Sequence, residues 1–115
     1  MTNLLAKSVR AGLPPLTLHQ HLLDTEQAAA RLFREGSRWG QSFLRFFKIP
    51  PSDHQRFLLH LRLAALFHDL GKANRGFQDA MRAGRFLQQP VRHEHLSALV
   101  LAHPAVDRWL ATNPE

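Results

Sequence analysis

The stretch AALFHDLGKANRGF, residues 64–77, places an imidazole and a carboxylate side by side at the end of an apolar run. The apolar residues before this pair recur at helical spacing and share a face with His68; they are Phe57, Leu61, Ala64 and Ala65. The pattern predicts a helix from residue 53 to about residue 70, ended by Gly71. On such a helix His68 is expected to point inward.

His68 and Asp69 together suggest a metal site. Burying a carboxylate costs free energy unless a partner is present, and a divalent cation offsets that cost. An aspartate can bridge two ions while the neighbouring histidine supplies a neutral nitrogen. Gly71 would let the backbone turn so that Lys72 returns toward the same pocket. An isolated His-Asp pair is usually a capping Asp beside a core His, but HDLGK after an apolar helix is more selective.

The rest of the chain also follows helical periodicity, and no stretch alternates as a strand does. Thr17 and Ser52 each begin a capping box, and Asn74 can cap a shorter helix. The predicted helices cover residues 18–35, 37–49, 53–70, 75–83, 91–102 and 105–111. Glycine and prolines interrupt residues 1–16, which are expected to form an arm docked on a helical core of residues 17–112. The predicted fold is all-α, in a single domain.

Composition limits the class of protein. The 115 residues suffice for one modest core, and the absence of cysteine excludes both disulfides and thiolate metal sites. The net charge is +6, and twelve of the fifteen cations are arginine, which suits phosphate; a polyanionic partner and a solvated basic surface are both compatible with it. The sequence has no long apolar run or apolar leader, so a cytoplasmic protein without a membrane segment is expected.

Two further histidines are candidate ligands. His21 lies on the first long helix in line with Ala28 and Leu32, which suggests that it faces the core. His93 begins a helix in RHEHLSAL. Each alone could be an ordinary core or cap histidine, but with His68 and Asp69 they could converge on one site. His103, a single histidine before a proline, is expected to be structural.

These motifs resemble the HD nuclease domain of the CRISPR type I helicase-nuclease, a branch of the HD metal-dependent phosphohydrolase superfamily. The similarity rests on LLAKS, on HLLD with His21, on HDLGKANRGFQ and on RHEHLSAL, and it spans about residues 4 to 101. It implies an HD-domain helical bundle with a one- or two-metal centre that cuts single-stranded DNA. The implied partners are a helicase and an RNA-guided surveillance complex.

The resemblance also implies the roles of individual residues. His21, His68 and Asp69 would hold a first metal ion, Asp69 would bridge, and His93 would bind a second ion. Asp69 and Lys72 would be catalytic, with Lys72 stabilising phosphate charge or positioning water. Imidazole and carboxylate ligands accept manganese, nickel, cobalt, iron or magnesium.

The chain departs from this family after His93, the last of the four ligands that the resemblance implies. The family supplies a paired His-His and a later Asp downstream, and neither occurs in these 115 residues. We therefore expect the N-terminal part of an HD-type nuclease domain, apparently truncated, that is weakly active or inactive alone.

Candidate contacts to nucleic acid flank the two histidine motifs: Arg75, Arg82, Arg85 and Arg92. Each could contact the DNA backbone or could be a solvated arginine. Four aromatic residues could stack on bases, although their helical spacing favours a place in the core: Trp39, Phe43, Phe46 and Phe47.

Two other functions remain compatible with the sequence. One is a phosphohydrolase acting on nucleotides in a small closed pocket. The other is a helical scaffold that keeps a vestigial metal half-site and binds nucleic acid or partner proteins without cutting.

Overall fold

A computed structural model describes residues 3–8, 12–83 and 91–112 of the chain. The six α-helices in these ranges are α1 (Leu18–Phe33), α2 (Arg38–Phe46), α3 (His54–Phe67), α4 (Arg75–Ala83), α5 (His93–Leu101) and α6 (Pro104–Thr112). Short 3-10 helices cover Pro51–Asp53 and Leu70–Ala73. The prediction of an all-α fold is confirmed. Among the described residues, no helix is long and apolar enough to cross a membrane.

Two helices begin at the caps that the sequence predicts. The Thr17 hydroxyl accepts a hydrogen bond from the Gln20 backbone N–H at 3.2 Å, at the start of α1. The Asn74 side-chain oxygen accepts one from the Phe77 N–H at 2.9 Å, at the start of α4. Both oxygens satisfy N–H groups that have no partner within the helix, and this fixes where each helix begins.

The helix before the His-Asp pair is shorter than predicted. It ends at Phe67, and Gly71 lies inside the following 3-10 helix instead of terminating an α-helix. Ser52 lies in the 3-10 helix Pro51–Asp53 and α3 begins after it, so the predicted capping box does not open α3. His103 accepts a hydrogen bond from the Ala105 N–H through Nδ1 at 3.2 Å, in keeping with its expected structural role.

The described residues form two compact units, one within residues 1–21 and 68–115 and the other within residues 22–67. In the second unit, the Phe43 ring packs against Phe33 and Phe57, with centroids 5.4 and 5.0 Å away. His54 is buried there, and its Nε2 lies 2.9 Å from the Phe33 carbonyl oxygen. The expectation of a core aromatic is confirmed for Phe43. It is wrong for Trp39, Phe46 and Phe47, which are 67%, 80% and 56% exposed.

In the first unit, a buried glutamine ties the N-terminal residues to the HDLGK segment. Gln78 is 2% exposed, and its amide pairs with both the N–H and the carbonyl of Leu5, at 2.8 and 2.9 Å. The same amide nitrogen donates to the Lys72 carbonyl at 2.8 Å. Leu5 also bridges Thr17 in an antiparallel arrangement. The docking of residues 1–16 as an arm remains a prediction, because residues 1–2 and 9–11 lie outside the described part.

Replacing Gln78 by Met should lower the free energy of unfolding by about 1–3 kcal/mol, since partly buried backbone groups of Leu5 and Lys72 would lose their partner. Thermal unfolding followed by circular dichroism measures the effect. Gln27→Met, at an exposed position of α1, is the matched control and should change little. Equal unfolding midpoints for the two variants would show that the Gln78 bonds contribute nothing to stability.

Candidate metal centre

The carboxylate of Asp69 is the centre of a cluster of basic side chains. Asp69 is only 6% exposed. Its Oδ2 lies 2.9 Å from His21 Nε2, 3.1 Å from His68 Nε2 and 2.6 Å from Lys72 Nζ. Its Oδ1 lies 3.3 Å from His93 Nε2. Residues 72 positions apart in the sequence therefore meet around one acid.

Each side chain of the cluster comes from the end of an element. His21 lies in the first turn of α1, His68 directly follows α3, and His93 is the first residue of α5. The His21 and His68 rings meet edge to face, with centroids 5.3 Å apart. Side chains at helix ends can converge from several directions, which side chains along one helix cannot do.

The prediction that His68 points inward is wrong, whereas the prediction that His21 faces the core is confirmed, although not on the helix face that suggested it. The His68 side chain is 39% exposed instead of pointing inward, because α3 ends at Phe67 and its periodicity no longer applies to residue 68. Ala28 and Leu32 are exposed, so they do not mark a core face that includes His21. His21 nevertheless has a side chain that is only 19% exposed.

The spacing of these atoms suits a divalent cation. The candidate ligand atoms of His21, His68 and Asp69 all lie within 4.8 Å of one another. Two donors that are each about 2.1 Å from one ion and about 90° apart around it are about 3 Å apart. The separations of 2.9 and 3.1 Å from Asp69 to His21 and His68 match this value. Imidazole with carboxylate is also a donor set that first-row divalent metals accept.

The electrostatic environment keeps Asp69 ionised at neutral pH. Burial acts to raise the pKa of its carboxyl group, but hydrogen bonds from Lys72 and His21 and the charge of Lys72 outweigh burial and hold the pKa below its usual value. Lys72 can donate to Asp69 because the 3-10 helix Leu70–Ala73 turns its side chain back toward residue 69. An ionised carboxylate is the form that binds a cation.

A close contact between the HDLGK segment and α5 places His93 beside Asp69. The Gly71 N–H donates to the Ser97 hydroxyl at 2.8 Å, and that hydroxyl donates to the His93 carbonyl at 3.0 Å. A Cβ atom on Gly71 would lie 2.0 Å from the same carbonyl oxygen. The Asn74 amide donates to the Gly71 carbonyl at 2.6 Å. Glycine is therefore required at position 71 by the close approach of two backbones.

Three residues that support the site were not singled out from the sequence. Ser97 is 4% exposed and joins α5 to Gly71. Gln78 holds the Lys72 carbonyl. Phe77 packs its ring against His93, with centroids 5.4 Å apart, and lies 5.5 Å below Lys72 Nζ. The signal that could have indicated Ser97 is its place on the apolar side of RHEHLSAL, where a polar residue needs a buried partner.

The described arginines that are predicted to contact nucleic acid form their ion pairs with carboxylates other than Asp69. Arg75 and Arg82 flank Asp79, at 3.5 and 3.8 Å. Arg92 donates to Glu94 at 2.9 Å, which raises the pKa of Arg92 and lowers that of Glu94. Arg85 lies outside the described residues.

Comparisons with known proteins identify the family of this chain. Residues 5–113 match the family model described as "Cas3, HD domain". The chain is 37% identical over 115 residues to a protein of Myxococcus xanthus (strain DK1622) named "Putative CRISPR-associated nuclease/helicase Cas3". The match covers 96% of this chain and 15% of that protein. No solved structure matches the chain significantly. With its HDLGK segment and its cluster of three histidines around one aspartate, the chain belongs to the Cas3 HD domain family.

Proposed function

We propose that this chain is the N-terminal part of a metal-dependent HD nuclease domain that hydrolyses phosphodiester bonds of single-stranded DNA in a CRISPR type I system. The observation that carries the proposal is the convergence of His21, His68, His93 and Lys72 on Asp69. Family membership supports the same reading. The Myxococcus relative is named a nuclease/helicase, which favours DNA as the substrate.

Asp69 would be shared between two metal ions. Together with His21 and His68 it would hold one divalent ion, and together with His93 it would contribute to a second. Ions bound there would activate water and stabilise charge on the phosphate. Because the donors are imidazole and carboxylate, manganese, nickel, cobalt, iron and magnesium are all candidates.

Lys72 would stabilise charge on a bound phosphate or position the attacking water. Its ammonium lies 2.6 Å from the Asp69 oxygen that His21 and His68 also approach, so it is already held beside the candidate metal ligands. The Gln78 bond to the Lys72 carbonyl holds the backbone in place, while the flexible side chain can reach a phosphate oxygen.

The partners of such a domain would be a helicase and an RNA-guided surveillance complex. This part of the proposal rests on the family and on the name of the relative, of whose length the chain spans 15%.

The test is a cleavage assay with the purified chain on single-stranded DNA, duplex DNA and free nucleotides, with each candidate metal and with EDTA. We expect metal binding by calorimetry and weak cleavage of the single strand that EDTA abolishes, because the downstream His-His pair and Asp of the family do not occur in these 115 residues. Turnover of free nucleotides alone would favour a nucleotide phosphohydrolase. Metal binding without hydrolysis of any substrate would favour a scaffold with a vestigial half-site.

A further inference from the structure

Helix α2 presents an aromatic surface to solvent. Trp39 and Phe46 are 67% and 80% exposed, and Phe47 beside them is 56% exposed. Trp39 and Phe46 are seven residues apart, about two helical turns, so they lie on one face of α2. The Phe47 ring packs edge to face against the Phe46 ring, with centroids 4.9 Å apart. Large aromatic groups exposed together mark a binding surface more often than scattered apolar residues do.

The same segment carries cations that have no acidic partner. Residues 36–52 contain Arg38, Arg45 and Lys48 and no aspartate or glutamate. All three cations are exposed, and none is in an ion pair with another residue of the described ranges. Arg38 and Arg45 are also seven residues apart, so they share a second strip of α2, about 100° around the helix from Trp39 and Phe46. By contrast, each described arginine of the predicted nucleic-acid contacts has a carboxylate nearby: Arg75 and Arg82 share Asp79, at 3.5 and 3.8 Å, and Arg92 pairs with Glu94 at 2.9 Å.

Lys48 occupies a backbone position that normally favours glycine. It follows α2 with φ at 54°, in the left-handed region. The Ile49 N–H bonds to the Leu44 carbonyl at 2.8 Å and the Lys48 N–H to the Arg45 carbonyl at 3.3 Å, which is the Schellman arrangement of a helix C-terminus. A residue other than glycine is strained there. Backbone strain tends to be retained at functional sites, and the strained position here is occupied by the exposed cation Lys48, which supports a binding role for its side chain.

We propose that the α2 surface, formed by Arg38, Trp39, Arg45, Phe46 and Lys48, binds single-stranded DNA. The bases stack on Trp39 and Phe46, and the three cations contact the phosphates. Stacking needs unpaired bases, whose faces are free, so a single strand fits this surface better than a duplex. The unpaired positive charge favours a polyanion over a neutral protein surface. The choice of DNA as the strand rests on the proposed function, whereas the surface itself does not depend on the metal centre.

The test measures binding of a fluorescein-labelled thymidylate oligomer of about 16 nucleotides by anisotropy, with EDTA present so that no cleavage occurs. Trp39→Ala and Phe46→Ala should each weaken binding about tenfold. Lys48→Gly should lower the slope of log affinity against log salt by about 0.7, while the unfolding midpoint stays equal or rises, because glycine tolerates the left-handed backbone. In a Trp109→Phe background, where Trp39 is the remaining tryptophan, the oligomer should quench Trp39 fluorescence.

Matched controls are Trp109→Ala, an exposed tryptophan on α6, and Arg108→Gln, an exposed arginine of the same helix. Both should bind the oligomer as the parent does. Unchanged affinity in Trp39→Ala and Phe46→Ala would overturn the proposal, and so would equal losses in the α2 variants and the controls. Oligomer binding without any metal-dependent cleavage would support the proposal for the α2 surface. It would count only against the proposed nuclease function.

Discussion

Asp69→Asn is expected to lower metal affinity and metal-dependent DNA cleavage by more than about 100-fold. Loss of an outer-shell group that orients a ligand already costs about 10- to 100-fold, and Asp69 would be a ligand itself. Asparagine keeps the size of the side chain but removes the negative charge that faces His21, His68, Lys72 and His93. Calorimetric titration with manganese, followed by cleavage of a single-stranded oligonucleotide, measures both quantities.

The same substitution should also destabilise the fold, so the two effects must be separated. The Lys72 side chain is 12% exposed, and without Asp69 its ammonium would lack the anion it now contacts. We expect a loss of about 1–3 kcal/mol in the free energy of unfolding. The double variant Asp69→Asn/Lys72→Met removes both charges and should recover most of this stability without recovering metal affinity.

Asp107→Asn is the matched control, because Asp107 is an exposed aspartate of α6. It should bind metal and cleave DNA as the parent does. If Asp69→Asn retained the affinity of this control, Asp69 would not be a metal ligand and the proposed function would lose its main support. If the double variant regained metal affinity together with stability, the original loss would reflect folding only.

The sequence was sufficient to predict the fold class and the residues that meet around Asp69. The capping oxygens of Thr17 and Asn74 each accept a hydrogen bond from the backbone N–H three residues later. The local sequence is therefore enough to predict where these two helices begin. Motifs on different helices indicated His21, His68 and His93 as candidates for one site. Their distances to Asp69, between 2.9 and 3.3 Å, could not be obtained from periodicity.

What the sequence could not provide depends on contacts between distant segments. Gln78 bonds Leu5 across 73 positions, and Ser97 bonds Gly71 across 26. In both cases a backbone group is the partner, and every residue offers such groups, so the sequence does not single out a partner. The orientation of His68 was wrongly predicted for a related reason. The helix α3 ends at Phe67, before His68, and Gly71 then packs against α5. Helical periodicity contains no information about that contact, so it could not show where α3 ends.

Gly71→Ala is expected to destabilise the protein by about 3 kcal/mol and to weaken metal binding at the same time. The new Cβ would lie 2.0 Å from the His93 carbonyl oxygen and 2.8 Å from the Ser97 backbone nitrogen, so the HDLGK segment and α5 must separate. Overpacking against side chains costs about 1–3 kcal/mol, and backbone atoms can yield less than side chains can. Separation would also move His93 away from Asp69, which it now contacts at 3.3 Å.

Gly76→Ala provides the matched control for this effect. Gly76 lies in the first turn of α4, and a Cβ atom there would meet only the Asn74 side-chain oxygen, at 3.3 Å. Alanine favours the helix over glycine by about 1 kcal/mol, which should offset that contact. We therefore expect Gly76→Ala to unfold at the temperature of the parent or slightly above it, and to bind manganese equally well. An unfolding midpoint and a manganese affinity for Gly71→Ala equal to those of Gly76→Ala would show that α5 does not need the close approach at residue 71 to position His93.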